Sequence, residues 1–140
     1  MRRYRLRLDT EKVRKFQGAL LSWFAEKGRD LPWRQTRDPY RILVSEVMLQ
    51  QTQVERVLQY YRRFLREYPT VQDLAAARPA AVRESWDGLG YYARARNLYA
   101  TAGTIVRKYK GKFPRRLEEL QDLPGVGRYT AGAVASFAYG

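Results

Sequence analysis

Leu123-Pro-Gly-Val-Gly-Arg-Tyr-Thr-Ala-Gly132 is the stretch whose reading decides the fold. It separates a short helical segment at 115–122 from a last helix that runs to the end of the chain. Gly125 and Gly127 permit a tight turn whose backbone N–H groups point one way. The helix that follows adds its positive N-terminal end. Turn and helix end together make an anion site suited to a phosphate of a nucleic-acid backbone. A G-x-G pair alone is usually only a turn. Here helices flank it and Arg128 follows it, in a chain with strong positive charge. That is the helix-hairpin-helix pattern, and its DNA-facing residues are expected to be Gly125, Val126, Gly127 and Arg128.

Working outward, the rest of the chain also reads as helical. Asp9 or Thr10 is expected to cap a first helix to about Lys27, with Val13, Phe16, Leu20, Trp23 and Phe24 at helical spacing. Residues 28–39 form a loop punctuated by two prolines. A second helix starts near Tyr40. Thr52 and Glu55 have the spacing of a capping box and are expected to open a third, which stops at Pro69. Short helices are expected near 71–77 and 79–86, and a longer one at about 91–109, ended by Gly111. No segment sustains strand alternation, so the class is all-α. Residues 1–28 are expected to be an arm and helix, and 29–140 a helical lobe with the hairpin at about 115–140.

Composition narrows the chemistry. Among 140 residues, Lys+Arg number 27 and Asp+Glu 14, a net charge of +13. A compact domain with that surplus seeks polyanions, nucleic acid before a membrane surface. No cysteine is present, so this chain offers neither a disulfide nor a thiolate metal site. No histidine is present, so acid–base work falls to carboxylates, tyrosine or lysine. The basic N-terminus leads into no apolar signal core or membrane span, and an intracellular, nucleoid-associated protein is expected.

Glu46 lies among Ile42, Leu43, Val44, Val47, Met48 and Leu49. A carboxyl buried there would keep its proton nearer neutral pH and could donate it in a reaction. The plain alternative is a solvated acid on an amphipathic helix. Gln50 and Gln51 follow and could reach base edges or fill space in a duplex. In Trp86-Asp-Gly-Leu-Gly-Tyr-Tyr-Ala-Arg-Ala-Arg96, Tyr91 or Tyr92 could wedge into a base stack, and Arg94 and Arg96 could hold phosphates. A core aromatic pair beside a solvated face is the competing reading. Leu31-Pro-Trp-Arg34 has the composition of a base-pocket wall or of a packed loop.

These four segments occur in order: Leu31-Pro-Trp-Arg34, Ser45-Glu-Val-Met-Leu-Gln-Gln-Thr-Gln-Val54, the run from Trp86 to Leu98, and Leu123 to Ala133. The series resembles the adenine DNA glycosylases of the MutY type, a branch of the helix-hairpin-helix glycosylases. The resemblance implies removal of adenine mispaired with 8-oxoguanine or guanine, after the base is flipped from double-stranded DNA. It implies that Glu46 is the catalytic acid that protonates adenine, with Tyr129 beside a second carboxylate. It implies that Gln51 and Tyr91 enter the duplex, and that Leu31, Trp33, Arg34 and Val54 surround the adenine pocket. The related endonuclease III type has lysine where this chain has Tyr129. Tyrosine forms no Schiff base, so a monofunctional glycosylase is expected.

The family also has an aspartate, a [4Fe–4S] cluster held by four cysteines, and an 8-oxoguanine-recognising domain in regions past Gly140. The chain is therefore expected to be an N-terminal fragment. It would bind no cofactor or metal itself, bind DNA weakly and turn over little, within a complete protein expected to be a monomer. The first helix would lack its natural cover. Two alternatives stand beside this reading: a pyrimidine glycosylase/lyase of the endonuclease III type, and a non-enzymatic helix-hairpin-helix DNA-binding module.

Overall fold

Helix is the only regular secondary structure among the described residues, as the periodicity requires. The structure is a computed structural model that describes residues 11, 12, 14, 15, 18 and 30–140. The expected apolar stripe of Val13, Phe16, Leu20, Trp23 and Phe24 lies outside the described residues. The chain divides into two compact units, Met1–Gln35 and Thr36–Gly140. In the first, Pro32–Arg34 make one 3-10 turn. The Arg34 N–H donates to the Leu31 carbonyl at 2.9 Å.

The second unit is built around helix α1, Pro39–Leu49. Pro39 suits the first turn because its missing N–H has no helical acceptor there. Asp38 Oδ1 caps the helix by accepting from the Tyr40 N–H at 2.9 Å. Tyr40 and every residue from Ile42 to Met48 are buried. A helix apolar on nearly all sides belongs at the centre of its domain. Helix α2, Val54–Glu67, is amphipathic instead, with Val57, Tyr61, Phe64 and Leu65 buried on one face. The Tyr40 hydroxyl donates to the Tyr68 carbonyl at 2.7 Å, joining the start of α1 to the end of α2. Burial first, and then the carboxylates of Asp73 and Asp38, push that hydroxyl well above its ordinary range.

Helices α3, Val71–Ala76, and α4, Pro79–Glu84, pack on the long helix α5, Tyr92–Tyr109. Lys110 and Gly111 close α5 in the left-handed conformation, and the Gly111 N–H donates to the Ile105 carbonyl at 3.0 Å. The stop expected at Gly111 is thus a glycine-terminated cap. Helix α6, Leu117–Gln121, leads into the glycine turn, and helix α7, Arg128–Tyr139, leaves it. Helix α7 packs against α1 and α6.

One sequence expectation is overturned. Thr52 and Glu55 form no capping box; α2 starts at Val54 with Gln53 as its cap residue and no side-chain cap. The Thr52 hydroxyl is engaged elsewhere, accepting from Arg94 Nη2 at 3.1 Å. A tertiary partner outcompetes the local one. The capping box that does form is Thr70 with Asp73, opening α3. Thr70→Ala is expected to lower unfolding free energy by about 1 kcal/mol. Glu55→Gln should change it by no more than about 0.5 kcal/mol, as for an exposed helix position. Urea titration of both variants checks the assignment.

Candidate DNA-facing site

Glu46 is 7% exposed on the central helix. The solvated-acid reading is therefore excluded: the carboxyl sits within the packed lobe. Helical geometry places Glu46 one turn before Gln50 on the same face. Gln50 Nε2 donates to Thr130 Oγ1 of α7 at 3.3 Å. The face of α1 that carries the acid is therefore the face that meets the helix after the glycine turn. A small cavity of about 30 Å³ lies beside this junction. Leu43, Val47 and Gln50 of α1 line it with Asn97 and Thr101 of α5 and Gly125 of the turn. It has room for about one water.

The turn is held from the protein side by α5. The buried Thr101 hydroxyl donates to the Pro124 carbonyl at 2.9 Å. The Val126 N–H donates to the Leu123 carbonyl at 3.1 Å. Leu123 and Val126 are buried, so Val126 anchors the turn in the core and presents no side chain outward. The two glycines do different work. Gly125 has φ +70°, and a Cβ there would lie 2.7 Å from both Cβ and Nδ2 of Asn97. Gly127 caps α7 in ordinary extended backbone, φ −81° and ψ 179°. A Cβ on Gly127 would meet nothing within 4 Å. Internal packing therefore requires glycine at 125 and leaves 127 unconstrained. Helix α7 has no side-chain cap, so its first N–H groups, from Arg128 onward, find no acceptor in a cap side chain. Arg128 and Tyr129 are exposed beside them.

Tyr129 is 81% exposed, in contrast to Glu46. The two do not form a buried pair in this structure. The aromatic stretch resolves into separate roles. Trp86 is fully buried, while Tyr91 is 56% exposed and Tyr92 39%. The tyrosines are therefore not a core pair. Tyr92 donates to Asp87 Oδ1 at 3.1 Å, which pushes its hydroxyl upward. Tyr91 caps α5 at φ 56° and ψ 54°, a left-handed conformation that is uncommon outside glycine. Gln51 is exposed and also left-handed, φ 59°. The two glutamines therefore part company: Gln50 ties α1 to α7, and Gln51 projects at the turn between α1 and α2.

Arg94 corrects a second expectation. Its terminal nitrogens are engaged by protein acceptors. Its Nη1 donates to the carbonyls of Val47 at 2.9 Å and Met48 at 3.0 Å, and also to that of Gln50. Burial pushes its guanidinium downward from the usual range, and Tyr91 opposes this. Arg96, two residues on, is exposed. Sequence reasoning missed the structural parts of Arg94, Asn97, Thr101 and Thr130, because a polar residue inside a helix pattern does not announce a partner many residues away.

The pocket-wall candidates of the first unit have local descriptions only. Leu31 precedes the 3-10 turn and is half-buried, Trp33 is buried and Arg34 is exposed. Val54, in the second unit, is the half-buried first residue of α2. Among the described residues, no group of His, Cys, Asp or Glu side chains could hold a metal ion. No described helix is long and apolar enough to cross a membrane.

This arrangement can be set beside known proteins. The chain is 49% identical over 146 residues to the adenine DNA glycosylase of Homo sapiens, covering 98% of this chain and 27% of that protein. It spans 27–28% of the length of the three mammalian relatives it matches. Among solved structures, it is similar to a thermostable thymine-DNA glycosylase with a TM-score of 0.78 and 33% identity, covering 93% of this chain and 60% of that one. A non-covalent endonuclease III–DNA complex gives a TM-score of 0.74 and 28% identity, covering 94% of this chain and 61% of that one. Residues 44–135 match the HhH-GPD superfamily of base excision DNA repair proteins, so the buried acid, the second half of the central helix and the glycine turn fall inside the matched region and the chain belongs to that superfamily.

Proposed function

We propose that this chain is the acid-bearing lobe of a monofunctional adenine DNA glycosylase, acting on adenine opposite 8-oxoguanine or guanine in double-stranded DNA. The observation that carries this reading is Glu46, a carboxyl only 7% exposed, placed on the helix face that meets the hairpin. Neutral adenine is a poor leaving group. A proton from Glu46 to the ring of a flipped adenine would let the base depart and leave an oxocarbenium-like sugar. Water would then complete hydrolysis of the N-glycosidic bond. In this reading the uncapped start of α7, Gly127 and Arg128 take a DNA phosphate, while Gln51 and Tyr91 enter the duplex. Val54 remains a candidate for the adenine pocket, and Tyr129 for the sugar side. The likeness to relatives named adenine DNA glycosylases supports the choice of base.

Residues 1–140 hold no cysteine, so they cannot supply thiolates to an iron–sulfur cluster. The [4Fe–4S] group implied by the resemblance would be held by residues outside this chain, as would the carboxylate that stabilises the cationic sugar. No step of the proton transfer from Glu46 passes through the cluster.

Glu46→Gln in the whole protein should lower single-turnover adenine release from an 8-oxoguanine:adenine duplex by at least about 100-fold, the usual scale for a lost general acid. An unchanged rate would remove Glu46 from the chemistry. Borohydride treatment during turnover should trap no covalent protein–DNA adduct, because Tyr129 offers no amine. A trapped adduct would favour the glycosylase/lyase alternative. The two glycines should also separate in behaviour. Gly125→Ala is expected to destabilise the fold by about 1–3 kcal/mol, through the left-handed backbone and the approach to Asn97. Gly127→Ala should leave thermal unfolding nearly unchanged and weaken binding to duplex DNA. Melting curves and fluorescence anisotropy on the same two variants check both outcomes.

A further inference from the structure

Three non-glycine residues among those described have left-handed backbone: Gln51, Tyr91 and Lys110. Lys110 ends a helix beside Gly111, where that conformation is ordinary. The other two flank a single guanidinium. Arg94 donates to the Gln50 carbonyl on one side of Gln51 and, at 3.1 Å, to Thr52 Oγ1 on the other. The Tyr91 ring lies 4.9 Å from the same guanidinium carbon, and the buried Trp86 ring lies 5.3 Å from it. A left-handed non-glycine residue is strained and persists only where its surroundings over-determine it. The common element of those surroundings is Arg94.

We infer that Arg94 is a positioning residue that fixes Gln51 and Tyr91 relative to one another as a two-part wedge, and is not a phosphate ligand. The inference rests on the proposed reading, in which both residues enter the duplex. The chemistry needs arginine. Nη1 reaches the carbonyls of Val47, Met48 and Gln50 while Nη2 reaches Thr52. The same guanidinium lies within cation–π reach of the Tyr91 ring. A lysine ammonium carries one point of charge and no plane, so it cannot hold both turns together. With Nη1 committed to α1, Nη2 bonded to Thr52 and Nε buried, Arg94 presents no free pair of nitrogens to a phosphate. The cation also lies at the negative end of α1, where it satisfies carbonyls that the helix leaves open.

The test uses the whole protein and a duplex with 2-aminopurine or adenine opposite 8-oxoguanine. Arg94→Lys should reduce the 2-aminopurine flipping signal and the single-turnover rate by about 10- to 100-fold, the scale of a misplaced contact group. The slope of log affinity against log salt should stay at the wild-type value, because no phosphate contact is lost. A phosphate ligand would behave oppositely: Arg94→Lys near wild type, and Arg94→Met with a slope shallower by about one. That pattern overturns the inference. If Arg94→Lys fails to fold, as read from its helical circular dichroism, Thr52→Val decides. It removes only the Nη2 acceptor and should show a smaller loss of flipping at unchanged helix content, whereas full flipping overturns the inference. A wild-type protein that neither flips nor releases the base defeats the proposed function and this inference with it. A wild type that flips, beside an Arg94→Lys that flips equally, defeats this inference alone.

Discussion

Helix α1 is wrapped by protein on almost every side, and that burial constrains everything around it. A helix that meets little water must find protein partners for the backbone groups left open at its ends. Asp38 supplies one at the N-terminus and the fork of Arg94 supplies several at the C-terminus. The same burial holds Glu46 away from bulk solvent. The central helix is therefore both the packing core of the lobe and the mount of its acid.

The hairpin depends on that core through α5. Thr101 holds the Pro124 carbonyl, and Gly125 approaches Asn97 too closely for any side chain. Val126 is buried between the two glycines. These contacts hold the turn, beyond which Gly127 and Arg128 are exposed. Gln50 then links α7 back to the acid-bearing helix through Thr130. The resulting site has a rigid interior and a polar exterior. Under the proposed function, that division would suit a protein that grips a charged, regular backbone and works on one irregular base.

Membership of the base excision repair superfamily agrees with this economy of parts. The exposed Tyr129 and the buried Glu46 sit at very different depths. Under the proposed function, the acid would meet a base delivered into the lobe, while the tyrosine would meet a group at its surface. The chain spans 27% of the human relative's length.

The sequence by itself determined the all-α class, the helix order, the glycine hairpin, the basic character and the candidate acid. Each of these is a local or compositional property: periodicity of 3.6, glycine and proline punctuation, net charge, or one acid in an apolar run. Glu46 was legible because its neighbours in sequence are apolar, and a helix apolar on nearly all sides is buried as a whole. Only the tertiary structure decided which polar residues face inward. Thr52 looked like a cap and became an acceptor for Arg94, and Arg94 looked like a phosphate ligand and became a tie between two turns. Nor did the pattern tell Gly125 from Gly127, since both occur in one turn and only the folded backbone and the position of Asn97 separate them. Such pairings join residues about 30 to 80 positions apart, and no local propensity encodes a partner that chain folding alone brings near.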